Sequence, residues 1–371
     1  MQIGVPKEIK VREFRVGLVP AAVRELASQG HTVWVQSGAG DGIGASDGDY
    51  VAAGARIAPG ADEVFSQAEL IVKVKEPQAE ERQRLRPEHI LFTYLHLAPD
   101  RAQADELLHS GATCIAYETV TSASGGLPLL APMSEVAGRL AVMAGGQALQ
   151  RHQGGCGVLL GGVPGVPPAR VVILGGGVVG RHAAAMALGL GAQVTVIDRN
   201  LDVLRQLWAQ FGPAVQTAYA TQDAIEQHCM AADLVIGGVL IPGAAAPKLV
   251  SRALVGRMQR GAVIVDVAID QGGCVETSRP TTHADPVFEV DGVVHYCVAN
   301  MPGAVPRTSA HALGHATLPF VQALAARGRQ ALVVDPHLRN GLNVHRGQVT
   351  HPGVAQALGR PCIDPLQALA A

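Results

Sequence analysis

The chain has 371 residues, of which 48% are hydrophobic and 16% charged, and it contains 44 glycines. This length and composition are typical of a well-packed α/β protein with two domains, and they exclude a disordered chain. Lys and Arg number 29 against 31 Asp and Glu, which gives a net charge of −2 at pH 7. A chain without a basic surplus is not expected to bind nucleic acid or an anionic membrane surface.

The six cysteines include no Cys-x-x-Cys pair. Reduced thiols in a cytoplasmic protein are therefore favoured over a disulfide framework or a structural zinc site. Residues 1–8 lack the basic and apolar pattern of a signal peptide, and no stretch reaches the roughly 20 continuous apolar residues that a membrane span needs. We expect no membrane association.

The first third of the chain alternates strand-like and helix-like stretches. Helices are predicted over 21–29 and 101–109, because Gly30 and Gly111 are placed to end them. Alternation of strands and helices predicts a parallel, doubly wound sheet. The predicted strands are 32–36, 70–74, 90–95 and 113–117.

A long helix is predicted over 134–152, with Ser134 as its N-cap. A segment rich in Gly and Pro, 154–168, separates it from a second βαβ series. Helical patterns return from about Ala310 to the end of the chain. The strands predicted in the second series are 171–174, 194–197, 234–236 and 263–267. This layout predicts a discontinuous domain from 1–130 and 305–371 that encloses a continuous domain, 131–304.

A glycine-rich turn follows the strand at 171–174. Gly175 permits the tight turn, Gly177 lets the backbone approach a pyrophosphate, and Gly180 lets the next helix pack closely on the strand. The following strand ends in Asp198, 18 positions after Gly180, where a ribose-binding carboxylate belongs. The segment predicts a dinucleotide site that prefers NAD, because a carboxylate repels the 2′-phosphate of NADP. For the adjacent Arg199, a role in binding that phosphate and a position on the surface both remain open, and the surface position is favoured.

Polar residues also stand at the predicted ends of other strands, where ligands bind in open α/β sheets. Lys73 and Lys75 are expected on one face of a strand that ends before Pro77. His96 and Asp270 each stand at the end of a run of apolar residues. A histidine with a pKa of about 6.5 suits proton transfer at neutral pH. A lysine can hold a carboxylate or polarise a carbonyl, and a carboxylate can orient water.

Together with motifs along nearly the whole chain, these residues resemble the alanine dehydrogenase family, relatives of the soluble NAD-binding part of proton-translocating transhydrogenase. Among the matching segments are Thr93-Tyr-Leu-His-Leu97 and Asp266-Val-Ala-Ile-Asp-Gln-Gly-Gly273. The other matches lie at 4–9, 15–17, 73–77, 133–138, 157–166, 300–303 and 306–309.

The resemblance implies a homo-hexamer of two Rossmann-like domains, with the active site in the interdomain cleft, that converts L-alanine to pyruvate and ammonium with NAD. It implies that Arg15 and Lys75 bind the substrate, that His96 transfers protons, and that Asp270 is its partner carboxylate. The cofactor contacts that it implies are Ser134, Gly175, Gly177, Val178, Val179, Gly180, Asp198, Val239, Leu240, Ile269, Arg279, Val298, Asn300 and Met301.

The chain departs from the family pattern at a few positions. Val203 stands where relatives often have a basic residue, although Arg205 is nearby. Cys156 interrupts a glycine-rich segment that in relatives more often carries a basic residue. His311 and His315 are spaced as in some helical metal sites, but the glutamate of a zinc-protease motif is missing. We therefore expect a helix surface there and no metal.

Two other functions remain as alternatives. A transhydrogenase-like subunit requires membrane segments or a partner subunit. A non-catalytic NAD-binding protein does not require polar residues in an active site. The presence of Arg15, Lys75, His96 and Asp270 favours the enzyme. Reduction of glyoxylate stays open, because one missing methyl group changes the discrimination of an apolar pocket by only about 1–3 kcal/mol.

Overall fold

The computed structural model describes residues 1–239 and 246–370. The chain forms two compact units. Unit 1 comprises Met1–Met133 and Val305–Ala371, and unit 2 comprises Ser134–Ala304.

Each unit is built on one sheet with helices in the connections. The strands are β1 (Gln2–Val5), β2 (Thr32–Gln36), β3 (Arg56–Ala58), β4 (Leu70–Val72), β5 (Ile90–Thr93), β6 (Thr113–Ala116), β7 (Arg170–Leu174), β8 (Gln193–Asp198), β9 (Val215–Tyr219), β10 (Leu234–Gly237), β11 (Val263–Asp266), β12 (Val287–Val290), β13 (Val293–Tyr296), β14 (Leu342–His345) and β15 (Gln348–Val349). The helices are α1 (Pro20–Ser28), α2 (Asp47–Ala52), α3 (Ala61–Gln67), α4 (Ala79–Arg82), α5 (Arg101–Ser110), α6 (Ala131–Ala148), α7 (Val178–Gly189), α8 (Leu201–Phe211), α9 (Gln222–Ala231), α10 (Arg252–Val255), α11 (Pro306–Arg327), α12 (Gln330–Val334), α13 (Pro336–Arg339), α14 (Pro352–Leu358) and α15 (Pro365–Ala370).

The sheet of unit 1 has the order β15-β14-β6-β5-β4-β1-β2-β3. Strands β1 to β6 are parallel, and β14 and β15 join antiparallel beside β6. Read from β3, the parallel strands follow the doubly wound order 3-2-1-4-5-6, so the order reverses between β1 and β4. Ligands of such sheets bind beyond the carboxyl ends of the strands at that switch point.

The sheet of unit 2 repeats this arrangement, with the order β12-β13-β11-β10-β7-β8-β9. Its strands are parallel except for β12, which pairs antiparallel with β13. Here the order reverses between β7 and β10. The prediction of two doubly wound α/β sheets is therefore confirmed.

Both faces of the unit 2 sheet are covered, as a parallel sheet requires. Successive residues of a strand point to opposite faces. In β7, Val171 and Ile173 belong to one buried apolar cluster, and Val172 and Leu174 belong to another. The strands are therefore continuous apolar runs, which is why their positions could be predicted from the sequence.

Capping groups explain several helix ends. The Asp100 carboxylate accepts a hydrogen bond from the Gln103 amide at the start of α5, and Gly111 takes a left-handed conformation at its end. The observed helix, Arg101–Ser110, extends one residue beyond the predicted one.

Several sequence predictions of local structure were wrong. Helix α6 begins at Ala131, so Ser134 lies inside its first turns and not at its N-cap. The reason is Pro132, which is tolerated in the first turn because its missing N–H has no partner there. The helix also ends at Ala148, and a short 3₁₀ helix, Arg151–Gln153, follows it.

The second error concerns β11, which ends at Asp266 and continues into a 3₁₀ helix, Val267–Gln271. Asp270 is therefore an exposed residue of that helix and does not close a strand. The third error concerns the last part of the chain, which was predicted to be helical throughout. It also contains the antiparallel pair β14 and β15.

Within the described residues, no helix is long and apolar enough to span a membrane.

Candidate active site

In unit 1, polar side chains gather just beyond the carboxyl ends of β1, β4 and β5. Glu8 follows β1, and His96 follows β5. Strand β4 ends at Val72, so Lys73 and Lys75 lie beyond it, and the prediction that they share one face of a strand was wrong. Because β1 and β4 are neighbours at the switch point, their carboxyl ends bring Glu8 and the two lysines together. The lysines and the histidine are predicted from the sequence, but Glu8 is not, because the sequence pattern does not predict β1.

Lys73 forms a buried ionic cluster with two carboxylates, Glu8 and Glu81. Its Nζ lies 3.0 Å from Glu8 Oε2 and 2.6 Å from Glu81 Oε1, and the Lys73 side chain is fully buried. Burial raises the pKa of Glu8 above its usual range, and the charge of Glu81 adds to this. For Lys73, the two carboxylates outweigh burial and raise the pKa of the ammonium. The cluster is structural, since Lys73 is enclosed.

The same cluster fixes the backbone at Lys75. Glu8 Oε1 accepts hydrogen bonds from the amides of Val74 at 2.7 Å and Lys75 at 3.3 Å. The Thr93 hydroxyl donates to the Lys75 carbonyl at 2.9 Å. Lys75 is itself half-buried, and its backbone is thus held on both sides of the residue.

Arg15 is almost fully buried and paired with Glu13. Its Nε donates to Glu13 Oε1 at 2.7 Å, and its Nη2 lies beside Glu13 Oε2. Burial alone would raise the pKa of Glu13, but the hydrogen bonds and charge of Arg15, with a smaller effect of Lys75, lower it. Glu13 therefore interacts with both residues that the resemblance assigns to substrate binding.

His96 has an unusual backbone. Its φ of +48° lies in the left-handed region, which a non-glycine residue rarely adopts without support. That support is Glu118. Its Oε1 accepts a hydrogen bond from the His96 amide at 2.6 Å, and its two carboxylate oxygens each lie 3.2 Å from the Leu95 amide nitrogen. The imidazole is half-exposed and stacks on the ring of Tyr94, with centroids 5.7 Å apart. The Tyr94 hydroxyl in turn donates to the Leu129 carbonyl. The ring of His96 is thus accessible, and its backbone is fixed.

In unit 2, the glycine-rich loop follows β7 and opens α7. Gly175 has a φ of +96°, and a Cβ on Gly180 would lie 1.8 Å from the Gly175 carbonyl oxygen, so neither position accepts another residue without rearrangement. A Cβ on Gly177 would meet no atom within 4 Å. The structure therefore leaves open space in front of Gly177, beside the first amides of the 12-residue α7.

Asp198, at the end of β8, ties this loop to the next helix. Its carboxylate accepts hydrogen bonds from the Gly176 amide and the Asn200 amide, both at 2.7 Å. Val203 packs beside the same loop, because a Cβ on Gly176 would lie 2.7 Å from its Cγ1. Arg205 is engaged by Asp202 at 2.6 Å, and Arg199 is exposed. A dinucleotide requires a glycine-rich loop, a helix N-terminus and a carboxylate, and the loop 175–180, the start of α7 and Asp198 supply them. The residues present therefore fit NAD.

The remaining predicted cofactor contacts of unit 2 lie in helices, in short 3₁₀ helices and in loops. Val239 follows β10 and is half-buried, while Leu240 lies outside the described residues. Asn300 has a φ of +60°, and the Arg279 guanidinium lies over the Phe288 ring at 4.2 Å. Of the others, Ile269, Val298 and Met301 are buried, Ser134 and Val179 are half-buried, and Val178 is exposed.

The two histidines of α11 remain a surface feature. His311 and His315 are exposed, and their ring centroids are 6.3 Å apart. Across residues 1–239 and 246–370, no group of three or more His, Cys, Asp or Glu side chains is arranged to hold a metal ion.

Comparison with protein families gives two matches that together span most of the chain. The N-terminal domain model of alanine dehydrogenase/PNT matches residues 4–137, and the C-terminal domain model of the same family matches residues 141–352.

Individual proteins are similar over the full length. A protein of Halomonas elongata named alanine dehydrogenase is 59% identical over 365 residues, which is 98% of both chains. One of the same name from Mycobacterium tuberculosis is 54% identical over 371 residues, all of both chains. A solved L-alanine dehydrogenase superposes with a TM-score of 0.94 at 54% identity, covering 97% of this chain and 99% of that one. A transhydrogenase from Sinorhizobium meliloti gives a TM-score of 0.81 at 26% identity, covering 95% and 99%.

Proposed function

This chain belongs to the alanine dehydrogenase/PNT family, and we propose that it is the oxidoreductase that converts L-alanine, NAD⁺ and water to pyruvate, ammonium, NADH and a proton. The reaction is reversible, so the enzyme also aminates pyruvate. The observation that carries the proposal is 59% identity to an alanine dehydrogenase over 98% of both chains. The similarity to a transhydrogenase is lower, at 26% identity, and this favours the dehydrogenase over the alternative.

NAD, when bound, supplies the hydride acceptor at C4 of its nicotinamide ring. Gly175, Gly177 and Gly180, with the first amides of α7, would hold its pyrophosphate, and Asp198 would accept hydrogen bonds from its ribose hydroxyls. The support for this is the open space at Gly177 and the fixed position of the Asp198 carboxylate. A carboxylate at this place also disfavours NADP.

Arg15 and Lys75 would bind the substrate. A guanidinium and an ammonium stabilise the carboxylate of alanine or pyruvate and the negative charge that develops on the carbonyl oxygen during amination. The fixed backbone of Lys75 supports this role, because it anchors the side chain that carries the charge.

His96 would move the proton at the substrate nitrogen or at the oxygen of the carbinolamine. An accessible imidazole on a fixed backbone is suited to this, since it can reach a substrate while its ring is oriented by Tyr94. Asp270 would assist the attack of water on the imine, and its exposed position on the 3₁₀ helix leaves the carboxylate accessible.

The test is consumption of NADH by the purified protein with ammonium and a panel of 2-oxoacids, followed by absorbance. We expect fast consumption with pyruvate, slower consumption with glyoxylate, and almost none with branched oxoacids, because the pocket must fit a methyl group. NADPH in place of NADH is expected to support little activity. Tight binding of NADH without turnover of any oxoacid would contradict the proposal and favour a transhydrogenase partner or a non-catalytic role.

We further propose that the chain assembles as a homo-hexamer, as the family resemblance implies. Support comes from a hairpin-like segment of unit 2 in which Val163 and Val166 pair. These two residues and Leu159 are 54–65% exposed. Exposed apolar side chains in one segment are typical of an interface. Analytical ultracentrifugation is expected to give about six times the chain mass of 38.4 kDa. A monomer at micromolar concentration would rule this out.

A further inference from the structure

The loop that carries Asp270 is held along one side by the segment 246–250. The Ala246 amide donates to the Gln271 carbonyl at 3.0 Å, and the Leu249 amide donates to the Cys274 carbonyl at 2.8 Å. Val250 and Val275 form a parallel bridge. The two stretches therefore lie side by side as far as the end of the loop.

Lys248 stands in the middle of this segment and directs its ammonium group at the loop. Its Nζ lies 2.5 Å from the Gly272 carbonyl oxygen, 2.9 Å from that of Gly273 and 3.3 Å from that of Val275. An ammonium has three donors and no acceptor, so three carbonyl partners satisfy it completely. These carbonyls belong to the turn that directly follows the 3₁₀ helix of Asp270.

The amide groups of the same turn are held by an opposite charge. Asp266, 1% exposed, accepts hydrogen bonds from the Cys274 amide at 3.3 Å and the Val275 amide at 3.1 Å. The Cys274 thiol also lies 3.6 Å from the Asp266 carboxylate. The turn is thus fixed by a cation on its carbonyls and a carboxylate on its amides, and the loop 267–273 has both of its ends secured.

Lys248 is an exposed residue. Fixing a lysine side chain costs rotamer entropy, so a lysine that served only solubility would gain nothing by placing its ammonium on one turn. The side chain is also the only charged group in the segment 246–250. Its position is therefore best explained by an effect on the loop that it contacts.

We propose that Lys248 is a positioning residue for Asp270. Its ammonium holds the turn after the 3₁₀ helix, and the turn holds the Asp270 carboxylate in the orientation that the reaction uses. This inference rests on the proposed function, because the role of Asp270 belongs to it. The residue acts through the loop and does not touch the substrate.

The test compares Lys248→Met, which keeps the length of the side chain and removes all donors, with Lys248→Arg, which keeps a cation. We expect kcat for pyruvate amination to fall about 10- to 100-fold in the methionine variant, as for a small displacement of a catalytic group, and to recover in part in the arginine variant. Arg252→Met is the control. It removes an exposed cation of the same unit that faces Asp291 at 3.9 Å, and its kcat should stay within twofold.

A double variant separates positioning from a general structural effect. If Lys248 acts through Asp270, Lys248→Met combined with Asp270→Asn should be no slower than Asp270→Asn alone. Independent losses that multiply would overturn the proposal.

Hydrogen exchange of the amides over 267–276 supplies a readout that does not need catalysis. Faster exchange in Lys248→Met and unchanged exchange in Arg252→Met would show that Lys248 holds the loop, and equal exchange in both would refute it. A wild-type chain that turns over no oxoacid would refute the proposed function, and with it the role of the loop in catalysis, while the exchange result would still decide whether Lys248 fixes the turn.

Discussion

Replacing His96 with asparagine is expected to lower kcat for pyruvate amination by about 10²- to 10⁴-fold, the range typical of a lost general acid–base group. Asparagine is the appropriate substitution because it tolerates the left-handed backbone that His96 adopts at a φ of +48°. The hydrogen bonds from this turn to Glu118 come from main-chain amides and should therefore persist. The KM for NADH should change by less than about twofold, since proton transfer and cofactor binding are separate.

His109→Asn is the matched control, because His109 is exposed in the last turn of α5 in the same unit. Steady-state kinetics over a range of pyruvate and NADH concentrations measure both parameters. Equal losses in turnover and NADH affinity would show that His96 has no specific role in proton transfer.

The second large effect is expected on stability. Lys73→Met removes the cation from a buried cluster and leaves the carboxylates of Glu8 and Glu81 without their partner. Breaking a buried ion pair on one side typically costs about 3–5 kcal/mol. We expect a corresponding decrease in the urea midpoint, measured by circular dichroism at one protein concentration, because association also contributes to stability.

The size of this loss should depend on pH, because it involves the titration of Glu8. Burial raises the folded-state pKa of Glu8 above its ordinary value of 4.5. Removing the ammonium of Lys73 raises that pKa further, because an attraction for the carboxylate is lost. A carboxyl group whose pKa is higher in the folded state than in the unfolded state stabilises the fold at pH values below its unfolded-state pKa. This contribution to stability is lost as the pH rises through the folded-state pKa. The loss of stability in Lys73→Met, relative to the wild-type chain, should therefore be smallest near pH 4.5 and increase towards neutral pH.

Two further variants complete this test. Lys7→Met removes an exposed lysine whose Nζ lies 3.8 Å from an Asp41 carboxylate, and it should change stability by less than about 1 kcal/mol. Adding Glu8→Gln and Glu81→Gln to Lys73→Met should restore part of the loss, because the buried negative charges are then gone. A loss that is independent of pH, or no recovery in the triple variant, would contradict the assignment of the loss to unpaired carboxylates.

The parts of the site that could be predicted are those written in a continuous stretch of sequence. Gly175, Gly177 and Gly180 act within six residues, and Asp198 ends the next strand along the chain. Such local patterns follow from backbone geometry, so their spacing alone predicts a dinucleotide loop. His96 and Lys75 were found in the same way, as polar residues that follow apolar strands.

The support of these residues could not be predicted, because it depends on pairing between distant segments. Glu8 and Lys73 are 65 positions apart and meet only because β1 and β4 are neighbours in the sheet. Glu118 reaches the backbone of His96 across 22 positions. No periodicity in the sequence reports on these contacts.

The misplacement of Asp270 has a similar cause. The apolar run before it predicts a longer strand, but Asp266 accepts hydrogen bonds from amides eight and nine positions further on and so ends the strand early. The error at Ser134 is of another kind. The sequence offers both a serine N-cap and a proline for the first helical turn, and the proline marks the true start of α6.

The antiparallel strand β14 has a consequence for how the chain folds during synthesis. It pairs with β6, and the hydrogen-bonded residues Thr113 and His345 of these strands are 232 positions apart. All of unit 2 is translated between them. Until the ribosome has released β14, β6 is an unpaired edge and unit 1 cannot complete its sheet, whereas every strand of unit 2 is already available. Unit 2 is therefore able to complete its sheet before unit 1, and the open edge of β6 is exposed to aberrant pairing until β14 is available.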